Sequence, residues 1–93
     1  MAALAQPDVI ESTIRHIVSS ISLPEGVRFE RLEFRENSNG DPSVFVVYSV
    51  ADSSKSDEDR AKELSALTTA TIRPIYKLNT PLIPYPEYVV LPQ

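Results

Sequence analysis

The stretch Arg31–Val50 constrains the fold more than any other, because it spells a β-hairpin. Its two period-two runs flank Asn39-Gly40, the dipeptide best suited to the positive φ angles of a two-residue type I′ turn. With that turn Phe34 faces Phe45 and Leu32 faces Val47, so four large apolar side chains share one side of the ribbon. The other side pairs Arg35 with Val44, Glu33 with Val46 and Arg31 with Tyr48. Val44, Val46 and Tyr48 then form an apolar row rimmed by Arg31, Glu33 and Arg35, and two-faced apolarity of this kind suits a covered sheet. A three-residue loop would reverse the two faces, since a shift of one residue moves every side chain across the sheet. Upstream, Val27 and Phe29 are out of phase with Leu32 and Phe34. One extra residue near Glu30-Arg31 restores the alternation and predicts a β-bulge.

Two helical patterns bracket the hairpin. Asp8 and Glu11 have capping-box spacing, and Ile10, Ile14, Ile17, Val18 and Ile21 recur on one helical face. Leu23-Pro24-Glu25-Gly26 ends that helix. Ala51–Lys55 reads as a polar loop, and Ser56 followed by Asp57-Glu58-Asp59 starts the second helix with acids at its positive dipole end. Ala61, Leu64, Thr68, Thr71, Ile72 and Ile75 form its inward stripe, with Leu67 at the border, and Pro74 either kinks or stops it. The segment from Leu78 to Glu87 is extended and stiffened by Pro81, Pro84 and Pro86, and Tyr88–Leu91 supplies a last strand.

The order predicts an α+β fold, a two-layer α-β-β-α-β arrangement over residues 1–93 as a single domain. Its three-stranded sheet is the β-hairpin plus the C-terminal strand, with two helices on one face. A right-handed crossover through the second helix lays the last strand parallel to the second, most simply beside the first. On the two-residue turn, the open face carries Val44, Val46 and Tyr48 and needs a protein partner or a second copy.

Composition excludes several function classes. A net charge of −4 opposes non-specific attraction to polyphosphate, and the absence of cysteine removes disulfides, thiol catalysis and thiolate metal sites. The N-terminus lacks the basic and apolar regions of an export signal, and no apolar run is long enough to cross a bilayer, so the expected location is cytoplasmic. His16 is the single histidine. Ser12, Ser19 and Ser20 lie one helical turn from it, but no acidic orienter or oxyanion pocket accompanies them. Asp52, Asp57, Glu58 and Asp59 lack the Gly-centred spacing of a calcium loop, and Ser53-Ser54-Lys55-Ser56 lacks the glycines of a phosphate loop. Pro81-Leu82-Ile83-Pro84 has the P-x-x-P spacing read by SH3-type grooves but reads better as a structural linker. Neither catalysis, a metal nor a cofactor is expected.

The element order resembles the type II KH-like and BolA-like small folds. KH domains grip single strands with a Gly-x-x-Gly loop, which has no counterpart here, and the histidine-bearing signature of BolA proteins is also missing. An RNA-binding alternative would use Arg28, Arg31 and Arg35 for phosphate contacts, offset by the interleaved Glu30, Glu33 and Glu36. The hairpin from Glu36 to Ser43 running into Val44–Tyr48, with the closing Tyr88–Leu91, is similar to small uncharacterised bacterial proteins associated with HEPN-type helical partners in a toxin-antitoxin-like arrangement. That resemblance implies the neutralising partner of such a pair. The expected function is therefore a non-catalytic protein-interaction module with Val44, Val46 and Tyr48 as anchors and Arg31, Glu33 and Arg35 as the polar rim, partnered by another protein or by itself as a homodimer.

Overall fold

The computed structural model describes residues 7–92, with side chains over 9–92. It has the expected element order: α1 (Pro7–Ser19), β1 (Val27–Glu36), β2 (Pro42–Val50), α2 (Asp57–Tyr76) and β3 (Ile83–Val90). The capping-box reading does not carry over. The Asp8 side chain and the N-terminal stretch 1–6 lie outside the described residues, α1 already includes Pro7, and the Glu11 carboxylate accepts from Arg15 Nε at 3.1 Å. The apolar stripe of α1 behaves as its spacing implies: Ile14 and Val18 are in the core, and Ile10, Ile17 and Ile21 pack around them.

α2 begins at the predicted cap, where the Ser56 hydroxyl accepts from the Asp59 N–H at 3.2 Å. Its buried line is Leu67, Thr71 and Ile75, whereas Ala61 is exposed. The stripe is thus rotated toward the position assigned to its border. Pro74 sits inside the last turn, and the helix runs past it to Tyr76, with the Lys77 N–H closing onto the Arg73 and Ile75 carbonyls. Burial of Ile75 ties that final turn to the core and offsets the hydrogen bond that proline removes.

The hairpin register departs from the two-residue turn. Asn37 N–H donates to the Asp41 carbonyl at 2.9 Å and Gly40 N–H to the Asn37 carbonyl at 3.0 Å, which encloses a three-residue loop with Gly40 at φ +85°. The Asn37 side chain enforces it, since its Oδ1 accepts from both the Asn39 and Asp41 N–H groups at 2.9 Å. Phe34 therefore pairs with Val44, Leu32 with Val46, Glu33 with Phe45, Arg35 with Ser43 and Arg31 with Val47. The expected bulge is present, as a register shift between Phe29 and Arg31.

This register corrects the assignment of faces. Val44, Val46 and Tyr48 are fully buried and belong to the helix-side core with Val27, Val50, Ile14, Val18, Leu67 and Ile75. They are not an exposed row of anchors. An aromatic row crosses the same layer: Tyr48 stacks on Tyr88 at 5.7 Å and meets Phe29 edge-on at 6.3 Å. The Tyr48 hydroxyl lies 2.7 Å from Thr71 Oγ1, so α2 is tied to the central strand by a buried polar contact.

Strand order is the second correction. β3 runs parallel to β2 but beside it, not beside β1, giving the order β1-β2-β3. β2 is uncharged from Pro42 to Val50 and largely buried on both faces, as a central strand must be, whereas β1 is loaded with charges that suit an edge. β3 also starts earlier than expected, at Ile83. The Leu91 N–H donates to the Val50 carbonyl at 2.9 Å, so odd-numbered residues of this parallel strand turn their backbone groups to β2 and even-numbered ones turn theirs outward. Pro84 and Pro86 fall on the outward side, where a missing N–H costs no ladder bond.

Candidate interaction surface on the outer face of the sheet

Both helices contribute to one core layer, which leaves the opposite side of the sheet without a helix over it among the described residues. Alternation along β2 assigns Ser43, Phe45, Val47 and Ser49 to this outer side. Their lateral neighbours are Arg35, Glu33 and Arg31 from β1, and Ile83, Tyr85, Glu87 and Val89 from β3. Val47 is nonetheless 0 % exposed. The Arg35 side chain reaches from β1 over Phe45 to Glu87 on β3 and so lies across the middle of this face.

Arg35 belongs to an ordered chain of charges. Glu33 accepts from Arg31 Nε at 2.8 Å through one carboxylate oxygen and from Arg35 Nε at 3.0 Å through the other. Arg35 Nη2 then donates to Glu87 at 3.1 Å, so the chain Arg31–Glu33–Arg35–Glu87 spans the sheet from β1 over β2 to β3. Hydrogen bonds from Arg31 first and Arg35 second hold the Glu33 carboxyl below its usual range. Beneath the chain, the Arg35 guanidinium carbon lies 3.6 Å from the Phe45 ring centroid, and Phe45 stacks on Tyr85 at 5.2 Å and 19°. Asn37 Nδ2 donates to the Tyr85 hydroxyl at 3.0 Å, which couples the hairpin loop to β3. At the far end Ser49 donates to Glu30, the extra residue of the bulge, at 2.7 Å.

Of the six residues singled out from sequence, the structure brings Arg31, Glu33 and Arg35 together on this surface and sends Val44, Val46 and Tyr48 to the other side. Phe45, Tyr85, Glu87 and Asn37 are the members that sequence reasoning missed. A two-residue turn places Phe45 on the opposite face, and Tyr85 and Glu87 become neighbours only once β3 lies beside β2.

Two of the three serines within a turn of His16 serve the main chain. Ser19 and Ser20 both donate to the His16 backbone carbonyl, at 2.8 and 3.1 Å, so those hydroxyls are spent on main chain and not on the imidazole. Among the described residues no group of three or more histidine, aspartate or glutamate side chains stands ready to hold a metal ion. Tyr48 and Tyr88 have raised pKa values, caused first by burial, but they face the core. A groove of about 390 Å³ runs between Leu23-Pro24 and α2, and the one acid lining it, Glu63, is paired with Lys55 and Arg60. Pro81–Pro84 is no free polyproline ligand, because strand pairing begins at Ile83 and Pro84 is buried. No helix of the described residues is long and apolar enough to cross a membrane. A scan against protein-family models finds no match to this chain, and a search of curated proteins finds none either.

Proposed function

We propose that this chain is a non-catalytic protein-interaction module that binds a partner protein through the outer face of its sheet. The observation that carries the reading is the hydrogen-bonded Arg31–Glu33–Arg35–Glu87 chain, with Arg35 lying over the Phe45 ring. Arginine is well suited to such surfaces, because its planar fork keeps donors available after one carboxylate is bound. Exposed Tyr85 and Val89 supply apolar contact beside it, and this mixture of aromatic, arginine and polar rim is the composition of a protein-binding patch.

The RNA-binding alternative is less well supported. The charges of Arg31 and Arg35 are balanced by Glu33 and Glu87, and Phe45 already carries a guanidinium on its ring, which leaves no net positive track there. The hairpin's resemblance to proteins of HEPN-associated pairs supports the narrower reading that the partner is a toxin-like helical protein neutralised by this chain. The cysteine-free sequence supports a reducing, cytoplasmic setting.

The test is capture of partners by the tagged chain from its own organism's lysate, with and without nuclease, alongside an Arg31→Glu, Arg35→Glu variant shown by circular dichroism to be folded. A stoichiometric protein that survives nuclease and is lost from the variant is expected. Bound nucleic acid, or a partner indifferent to the variant, would overturn the proposal.

A further inference from the structure

Backbone direction in β1 follows from one hydrogen bond. Because the Asn37 N–H points to Asp41, the main-chain groups of Arg35, Glu33 and Arg31 also face β2, and those of Glu36, Phe34 and Leu32 face away from the sheet. Among the described residues the sheet has two unpaired edges, β1 and β3, and they differ. The outward positions of β3 include Pro84 and Pro86, which supply no donor, while β1 contains no proline from Val27 to Glu36. Phe34 stands at the middle of this open segment and is 43 % exposed.

We propose that the free edge of β1 pairs antiparallel with the same edge of a second copy of this chain, joining two three-stranded sheets into one of six strands. A two-fold axis demands self-complementarity, and outward-facing residues must meet outward-facing residues. Five registers satisfy that rule within the regular part of the strand, and side-chain charge separates them, beginning with Glu36 opposite itself, which sets like charge against like and leaves no second outward pair within the strand. Placing Leu32 opposite Phe34 sets Glu33 against Glu33, and placing Phe34 opposite Glu36 sets Arg35 against Arg35. Placing Leu32 opposite itself runs the pairing into the irregularity between Phe29 and Arg31. Placing Phe34 opposite itself pairs Leu32 with Glu36 through the backbone and sets Glu33 across from Arg35 twice.

In that register the Glu33 and Arg35 pairs fall at the closely spaced, non-hydrogen-bonded positions of the ladder, where side chains interact best. The charge chain on the outer face then continues from one protomer into its partner, and the two Phe34 rings cover one another at the axis. This interface shares Glu33 and Arg35 with the partner-binding face proposed above, but its backbone bonds, through Leu32, Phe34 and Glu36, lie at the sheet edge and do not involve that face.

Sedimentation equilibrium of the full chain up to millimolar concentration, with amide exchange followed by NMR, tests the pairing. The expected result is a species of twice the 10.4 kDa chain mass, with the amides of Leu32, Phe34 and Glu36 protected as the dimer forms. Phe34→Pro removes the donor at the axis without taking a bond from β2. It is expected to weaken dimerisation by roughly tenfold or more, through loss of two backbone hydrogen bonds. A monomer at millimolar concentration, or a dimer in which those three amides exchange at the monomer's rate, would overturn the proposal. Should Phe34→Pro fail to fold, the exchange measurement on the unaltered chain decides alone.

Discussion

Val46→Asp separates the two possible faces of the hairpin more sharply than any other single change. Had Val46 lain on an exposed binding face, the substitution would abolish association and spare the fold. In the observed register Val46 is 0 % exposed, between Leu32 on β1 and Pro86 on β3, in the layer covered by α1 and α2. The cost has three parts. Removing the buried valine side chain forfeits about 2 kcal/mol of apolar burial. A carboxyl without a hydrogen-bond partner there adds about 1–3 kcal/mol. Keeping it neutral at pH 7, roughly three units above its ordinary pKa, costs a further ~4 kcal/mol at about 1.4 per unit. The total, of order 7–9 kcal/mol, is comparable with the entire stability expected of a domain this size, about 5–14 kcal/mol. The variant should be largely unfolded at pH 7 by far-ultraviolet circular dichroism. The sign of its pH dependence is also set: the folded-state pKa of the new carboxyl is raised, so the neutralisation part of the cost grows above the unfolded pKa near 4 and disappears below it, while the lost burial and the unmet hydrogen bond remain. Relative to the unaltered chain, the variant should therefore recover toward pH 4. A cooperative melt at the original temperature, at pH 7, would refute the register and with it the placement of the core.

Three further outcomes follow from contacts described above. Thr71 Oγ1 already donates to the Leu67 carbonyl at 2.8 Å, so Tyr48 is the donor in their 2.7 Å contact. Tyr48→Phe should cost about 1 kcal/mol in urea denaturation, and Thr71→Val more, about 1–3 kcal/mol, because it orphans a buried phenol; equal costs would refute that polarity. Gly26→Ala should destabilise more than Gly40→Ala. Both glycines have positive φ, but a Cβ at Gly26 would sit 3.0 Å from the Arg60 guanidinium and 3.1 Å from the Ala51 and Asp52 carbonyls, while nothing lies within 4 Å at Gly40; chemical denaturation of the two variants ranks them. Glu33 has a folded-state pKa below its usual 4.5, so its contribution to stability is present above that value and is lost as pH falls through the lowered one. Thermal melts of Glu33→Gln between neutral and acid pH should accordingly lose stability less steeply than those of the unaltered chain.

Much of the architecture was legible in the sequence because it rests on local signals. Ile14 and Val18 at helical spacing, Ser56 ahead of three acids, and the phase slip at Glu30 each correspond to a feature observed in place. The faces of the hairpin were not, because Asn39-Gly40 fits both a two-residue turn and a three-residue loop with glycine at the left-handed position. Asn37 decides between them, through a side chain that binds two backbone N–H groups of the loop. β2 offers no help, since Val44, Phe45, Val46 and Val47 are apolar on both faces. That same uniformity was the missed signal for strand order: a run without charge belongs in the middle of a sheet, which puts β3 beside it. The outer-face cluster was therefore half visible, in Arg31, Glu33 and Arg35. Glu87 and Tyr85, some fifty residues away, join it only through tertiary pairing.

β3 gives its side chains alternately to two layers, Tyr88 to the core and Tyr85 and Glu87 to the outer surface. Both layers lose members together if the strand detaches. Anything that grips the outer surface through Tyr85 and Glu87 consequently holds Tyr88 against Tyr48, and its binding energy appears as folding energy of the whole chain. By mass action a partner at one hundred times its dissociation constant would add about 2.7 kcal/mol to the stability of the domain. Occupancy of the surface would then be read as resistance to unfolding and proteolysis, with the unbound chain the more perishable form.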